Sequence, residues 1–484
     1  MDTTGQTVTF TTVKELFDKS DDVLYHAFTF NGSVVHFVKC DAMVDEQMLY
    51  TVVIPKIEKF FNENDPKTID QKMIDQLSLP EFKAIKDKEE IINAVYNGKV
   101  IMYFEDLKLL YASNIVHKPN RTPEDTNLEA LVKGPRDNFI EDISVNIALV
   151  RKRFPSNSLC VEKLEIGERS KTPVAILYVD DIVDKDILTE LKRELTQIEA
   201  DVIISADTLM ELINKKNWML PATHYTGRPD FAIQSLVRGR FLIMVDGTSY
   251  AVITPVNFSY LLKSAEDFES PILFATFERI LRLMGILIGT TLPAFWLALT
   301  LFHQNQLPLQ LLATVVIANR GLPLPAVIEM LLLLILFEMF REASLRLPSV
   351  LGGTFSVVGG LIIGDAAIRS GITSPAMIVV IAISVVASYT IVNQSLVTMV
   401  SILRIVYIII TSFFGLFGFF LSIYMTILYI ANMRIFGVPY LNITVDISWD
   451  NFKKTFFRPS TAKYNQRPRM LNPKDKKRNN EESK

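Results

Sequence analysis

"GGTFSVVGGLIIGDAAIRSG", residues 352–371, governs the reading of the whole chain. It holds six glycines in a run otherwise apolar enough for lipid, although each glycine costs a helix about 1 kcal/mol relative to alanine. It also carries Asp365 and Arg369, where charge is most expensive. Around it the apolar residues gather. Charges are scarce over 280–431, whereas residues 1–270 are rich in Asp, Glu, Lys and Arg, and the chain from Arg434 onward is basic and polar. The hydrophobic fraction of 49% over 484 residues and the mean hydropathy of +0.26 average over three unlike parts. The expected fold class is an α/β two-subdomain soluble head followed by a multi-pass α-helical membrane domain.

Residues 283–302 have about the length that covers some 30 Å of hydrocarbon. Arg279 and Arg282 fall at the cytoplasmic edge of that segment, where long cationic side chains snorkel, and Trp296 falls toward the far interface. The run 307–318 is short for a crossing and reads as re-entrant or interfacial. Further spans are expected at 325–348, 350–368 and 375–394. The run 403–431 would be roughly 43 Å long as one helix, so it must tilt or break near Gly415 and Gly418. Asn393 and Gln394 read as interhelical hydrogen-bonders.

Gly352, Ser356, Gly360 and Gly364 fall four apart on one stripe. Small residues there permit the close backbone approach on which helix association in lipid relies, within one subunit or between subunits. A second face, Thr354, Val358, Leu361 and Asp365, is narrow and mildly polar, and suits a pore lining. Arg369 is placed four residues beyond Asp365 as an alternative partner. Just upstream, "EMFREASLRLP" sets Glu338, Arg341, Glu342 and Arg346 at helical spacing. Together with Arg369 these read as a charge network holding the helix end against the glycine-rich one, until Pro348 stops the helix.

The head carries a weak duplication. Residues 34–60 resemble 173–199, each a strand, an acidic turn and a helix with Asp45 or Asp184 at its N-cap. Residues 96–113 then resemble 237–254, each strand–turn–strand, the second with the Asp-Gly of a hairpin. The expected division is an N-terminal segment 1–24, subdomains 25–115 and 160–270, a helical connector 116–159, a membrane domain 271–433 of about four to six segments, and a basic tail 434–484. Asp180, Asp181 and Asp184 read as a turn and a cap rather than as metal ligands. No nucleophile elbow, phosphate loop or His/Cys metal spacing is present. No enzyme, catalytic residue, cofactor or metal is expected.

Cys40 and Cys160, far apart in sequence, read as reduced packing residues. The N-terminus lacks an apolar core of signal-peptide length, and the net charge of −3 argues against nucleic acid. A Lys/Arg-rich tail normally stays cytoplasmic. Head and tail on one side demand an even number of crossings, and five convincing spans conflict with that.

"EMFREASLRLP" followed by "GGTFSVVGGLIIGDAAI" resembles the signature of the A subunit of GerA-type spore germinant receptors. "NRGLPLPAVIE", "GPRDNFIEDISVNIALVRKR" and "GRPDFAIQSLVRGRFLIMVDGTSY" match in the same order. The resemblance implies a multi-pass protein of the spore inner membrane, with head and tail on the cytoplasmic (core) side. It implies work with a nutrient-binding B-type membrane subunit and a C-type lipoprotein. It further implies a homo-oligomeric ring, a pentamer being the expected size, that acts as a nutrient-gated cation channel. Asp365 departs from that pattern, in which glutamine is frequent. The alternatives are a non-conducting scaffold or signal-relay subunit and a secondary transporter, the latter without the inverted repeats it would need.

Overall fold

The computed structural model describes residues 9–64, 68–117, 137–213, 220–268, 270–345, 362, 364–441 and 467–475. Two units of one plan form the head. In the first, β1 (Val23–Phe30), β2 (Ser33–Cys40), β3 (Lys83–Ala84), β4 (Val100–Phe104) and β5 (Leu109–Ser113) build an antiparallel sheet in the order β1-β2-β4-β5-β3. Helix α1 (Ile54–Glu63) follows β2. After the connector helix α2 (Ile143–Arg153), the second unit has β6 (Leu159–Ile166), β7 (Thr172–Val179), helix α3 (Lys185–Thr196), β8 (His224–Thr226), β9 (Phe241–Val245) and β10 (Ala251–Thr254). Its order, β6-β7-β9-β10-β8, repeats the first position for position. The sequence duplication thus pairs β2 with β7 and the β4–β5 hairpin with β9–β10. The acidic caps form as the spacing predicts: the Asp45 carboxylate accepts from the Met48 amide at 2.8 Å, and Asp184 from that of Asp186 at 2.9 Å.

The seam between the units is polar and specific. Lys19 and Asp21 of the first unit exchange backbone hydrogen bonds with Val161 on β6. Arg151 on α2 grips Asp22 through Nε at 2.7 Å and Nη2 at 2.9 Å, with both side chains buried and the guanidinium 4.1 Å over the Tyr96 ring. Cys40 and Cys160 are free and buried.

Alternation along β7 decides where the cores lie. Val174, Ile176 and Tyr178 face α3 in one cluster. Ala175, Leu177 and Val179 face the other way, into a cluster that continues without a break through Ile286, Leu297, Ile381, Leu396 and Leu403 of the carboxy-terminal helices. The first unit packs in clusters of its own.

Those helices are α4 (Ile272–Phe302), α5 (Leu309–Asn319), α6 (Ala326–Leu345), α7 (Pro375–Ser388) and α8 (Gln394–Asn432). Among the described residues, α4 and α8 are the two long and apolar enough to cross a membrane. α4 leaves the head and runs outward. α7 is antiparallel to it, since Ser384 Oγ donates to the Gly289 carbonyl at 3.0 Å and Thr390 Oγ1 to that of Leu281 at 3.4 Å. α6 also runs inward: its start meets the start of α7 through Glu329 and Ser374, and its later part lies beside α8 through Arg341 and Ser401.

α8 is a hairpin rather than a rod. Tyr407 Oη lies 2.9 Å from Thr426 Oγ1, residues that would be about 28 Å apart along a straight helix. The reversal is at Gly415, with φ 59° and ψ −142°, where an L side chain is strained. Its arms, 394–414 and 416–432, are about 31 and 25 Å long. Of the two outcomes the sequence allows for this run, tilt or break, the chain takes a break. Both ends of α8 return to the head: Asn393 reaches His224 at 2.8 Å, and the Phe258 amide donates to the Tyr440 carbonyl at 3.0 Å. Farther on, Leu471 is buried and Arg467 Nε donates to the Val237 carbonyl at 3.0 Å, so part of the basic tail lies against the second unit.

Candidate functional site

Seven of the residues singled out from the sequence, Arg346, Gly352, Thr354, Ser356, Val358, Gly360 and Leu361, lie outside the described residues. At Gly364, a Cβ would meet Ile378 of α7 at 3.8 Å, so this end of the small-residue stripe faces a helix of the same chain. Asp365 and Arg369 pair at 2.8 Å, their side chains 57% and 79% exposed. Glu338 and Arg341 pair at 2.7 Å, and Glu342 is exposed on the same helix.

The charge at the centre of the bundle is one the sequence reading passes over. Arg404 is buried among apolar neighbours on the outgoing arm of α8, about 15 Å from its start. Its Nε donates to the Gly289 carbonyl of α4 at 2.6 Å, and Nη2 to the Ser384 carbonyl of α7 at 3.5 Å. Nη1 makes no hydrogen bond and faces Glu338 Oε1 of α6 at 3.8 Å. One guanidinium therefore addresses three other helices. The signal for it is plain in retrospect: a lone arginine within "SILRIVYIII" has to find partners inside the protein.

At the far end of α6 another charge is held. Glu329 is buried and accepts from the Thr373 hydroxyl and, at 2.9 Å, from the Ser374 amide at the start of α7. At the head end, Arg279 and Arg282 depart from their expected snorkelling position. Both are buried and converge on Asp267, itself fully buried, at 2.7 and 2.8 Å. Arg282 also donates to the Leu262 carbonyl at 3.1 Å. The reason is geometric: α4 begins at Ile272 against the head, so its first three turns belong to the junction.

Asn393, expected to bond between helices, instead couples α8 to the head. Its Oδ1 accepts from the Leu396 amide at 3.1 Å, capping the helix. This turns Nδ2 toward Nδ1 of His224 at 2.8 Å. A donor aimed at Nδ1 requires a neutral ring. Burial, and then the nearby Arg240 charge, hold His224 down at about 4. An unfolded histidine titrates near 6.5, so the unfolded chain binds more protons between these values. The junction should therefore be fully stable above about pH 6.5 and lose on the order of 3 kcal/mol as pH falls toward 4. Thermal melts of the full chain in detergent check this. The acid-sensitive step should shrink in His224→Gln, and an unchanged step would place its source elsewhere.

Among the described residues, no group of three or more His, Cys, Asp or Glu is placed to hold a metal. What the arrangement offers is interlocked charge between helices and a polar hinge to the head.

A family model described as Bacillus/Clostridium GerA spore germination protein matches residues 11–470. The chain is 37% identical over 459 residues to spore germination protein XA of Bacillus anthracis, with 93% of each covered. It is 30% identical over 470 residues to spore germination protein KA of Bacillus subtilis (strain 168), covering 96% of this chain and 86% of that one. The crystal structure of the N-terminal domain of the A subunit of the Bacillus megaterium spore germinant receptor GerK3 matches 51% of this chain and 93% of its own, with a TM-score of 0.41 and 23% identity.

Proposed function

Since the chain belongs to the Bacillus/Clostridium GerA spore germination protein family, we propose that it is the A-type subunit of a spore germinant receptor. It sits in the spore inner membrane with head and tail on the core side, beside a nutrient-binding B-type membrane subunit and a C-type lipoprotein. Copies of it assemble as a ring that conducts monovalent cations once nutrient is bound.

Connectivity supports an even number of crossings. Taking outward as away from the head, α4 leads out and α6 leads in. α6 ends toward the head and α7 starts at the far end, so one crossing is assigned between Leu345 and Pro375. α7 leads in, and the two arms of α8 lead out and back. The proposed topology has six crossings, with α5 on the far side and one crossing assigned between α6 and α7, which meets the even number that head and tail on one side demand.

The observation that carries the channel reading is the exposed Asp365–Arg369 pair. Charge at membrane depth faces a bundle interior or water, and among the described residues one chain supplies neither here. Neighbouring copies around an aqueous path supply both, and place Thr354, Val358, Leu361 and Asp365 along it, with the stripe Gly352, Ser356, Gly360 and Gly364 at helix contacts.

Val358 and Leu361 are the apolar members of that face and close it by dewetting. Trimming either to alanine is expected to raise potassium loss from spores without nutrient by about tenfold, the effect of about 1.4 kcal/mol off the barrier. Normally accumulating variants with an intact potassium barrier would leave a non-conducting scaffold.

A further inference from the structure

We infer that the second unit of the head carries a peptide-binding site, filled by the chain's own tail, and that residues 467–475 are its ligand rather than a part of the fold. The peptide it takes is basic and reads Arg-x-x-x-Leu-Asn-Pro from Arg467 to Pro473. This site is independent of the channel reading.

Three observations carry it. First, the segment is complete in itself. Arg467 Nη1 donates to the Asp475 carbonyl at 2.9 Å and pairs with the Asp475 carboxylate, which closes the two ends on each other. Between them lie a single 3-10 turn, Arg469–Leu471, and Asn472 at φ 42°, a left-handed position that asparagine tolerates better than most residues. A segment ordered by its own bonds has less entropy to lose on docking.

Second, the receiving groups are placed by bonds that do not involve the tail. Asp184 Oδ1 caps α3 by accepting from the Asp186 amide at 2.9 Å, which leaves Oδ2 for Asn472 Nδ2 at 3.0 Å. Asn257 Oδ1 caps the helix Phe258–Leu261, and its Nδ2 donates to the Met470 sulfur at 3.0 Å. Val237 ends the helix Pro229–Leu236, where carbonyls lack partners within the helix; its oxygen accepts from Arg467 Nε at 3.0 Å. The Ile182 carbonyl accepts from the Lys474 amide at 3.0 Å.

Third, the contact is small. Leu471 and Pro473 are buried, Leu471 in the cluster of Val183, Leu188 and Val438. An element held by so few buried apolar groups opens locally while the rest stays folded. Twenty-five residues separate Leu441 from Arg467, so the segment is a tethered ligand. Val438 belongs to the short strand pair that follows α8, so the filled site staples the exit of that hairpin to the second unit.

A short tether supplies an effective concentration of about 1 mM, so a site nine-tenths filled implies a Kd at or below about 0.1 mM. A chain ending at Gln466 and the full chain, both in detergent, are titrated with a fluorescent peptide of residues 465–477 and read by anisotropy. The shortened chain should bind with that Kd, and the full chain, whose site is occupied, at least tenfold more weakly. Leu471→Asp in the peptide should abolish binding. In the full chain, Leu471→Asp should speed trypsin cleavage after Arg469 about tenfold, read by mass spectrometry. Equal binding to both chains, or a peptide indifferent to Leu471→Asp, would overturn the site. A shortened chain that does not accumulate would make the segment part of the fold and overturn it equally. So would a full chain cleaved as fast as its Leu471→Asp variant, because the tail is then not docked.

Discussion

Replacing Asp267 by asparagine is expected to deplete the protein from the membrane. The fully buried carboxylate neutralises two buried arginines at the start of α4. The amide fills the same space but takes the anion from Arg279 and leaves Arg282 only the looser contact with Glu278 at 3.3 Å. Breaking a buried pair in this way costs about 3–5 kcal/mol, a large part of the 5–15 kcal/mol that holds a typical domain together. Immunoblots of membrane fractions should show at least a tenfold loss, with the head released to protease near Ser270. Adding Arg279→Gln and Arg282→Gln should recover much of the level, since no buried cation is then stranded, and the part-exposed Glu278 carboxylate remains in contact with water. A single variant at the normal level and protease resistance would make the cluster dispensable.

Gly415→Val is the second change expected to act strongly. The backbone at φ 59° and ψ −142° lies where only glycine is comfortable, a cost of about 1–3 kcal/mol for other residues. In addition, a Cβ there would stand 3.0 Å from Cγ of the Phe302 ring at the end of α4. The branched side chain is expected to open the hairpin, so that the return arm no longer brings Tyr440 to the head. A C-terminal epitope in inside-out vesicles checks this, with protease access falling several-fold. Phe302→Ala relieves the clash but not the dihedral, so it should restore the hairpin only in part. Wild-type access in Gly415→Val would mean that the turn tolerates an L residue.

What the sequence makes legible follows from the range of each interaction. The repeated units are visible because strand runs, the caps at Asp45 and Asp184, and the turn at Asp246-Gly247 are local features that recur in order. The break in α8 is half visible: Gly415 marks a weak point, but the positive φ that turns a kink into a reversal, and the Phe302 ring of a distant helix packed against it, are seen only in the folded chain. The charges are the least legible. Arg279 and Arg282 obey the edge rule for a membrane helix until Asp267 is known to lie beneath them. Arg404 finds its partners on three helices more than a hundred, twenty and sixty-six positions away in sequence. Neither periodicity nor spacing carries that information.

The two sheets of the head share a strand order yet have unequal fates. At the last position, the second sheet presents His224 to Asn393, while the first has Lys83 and Ala84 on β3. The second unit's core merges with that of the helices, whereas the described cores of the first unit stop at Ala148. Duplication has thus left one copy bound by inheritance to the shape of its neighbour and the other released from it. Selection then filters every change in the attached copy against two surfaces at once, while the first copy answers to one, the seam at Asp22 and Val161, and keeps the rest of its surface open to change.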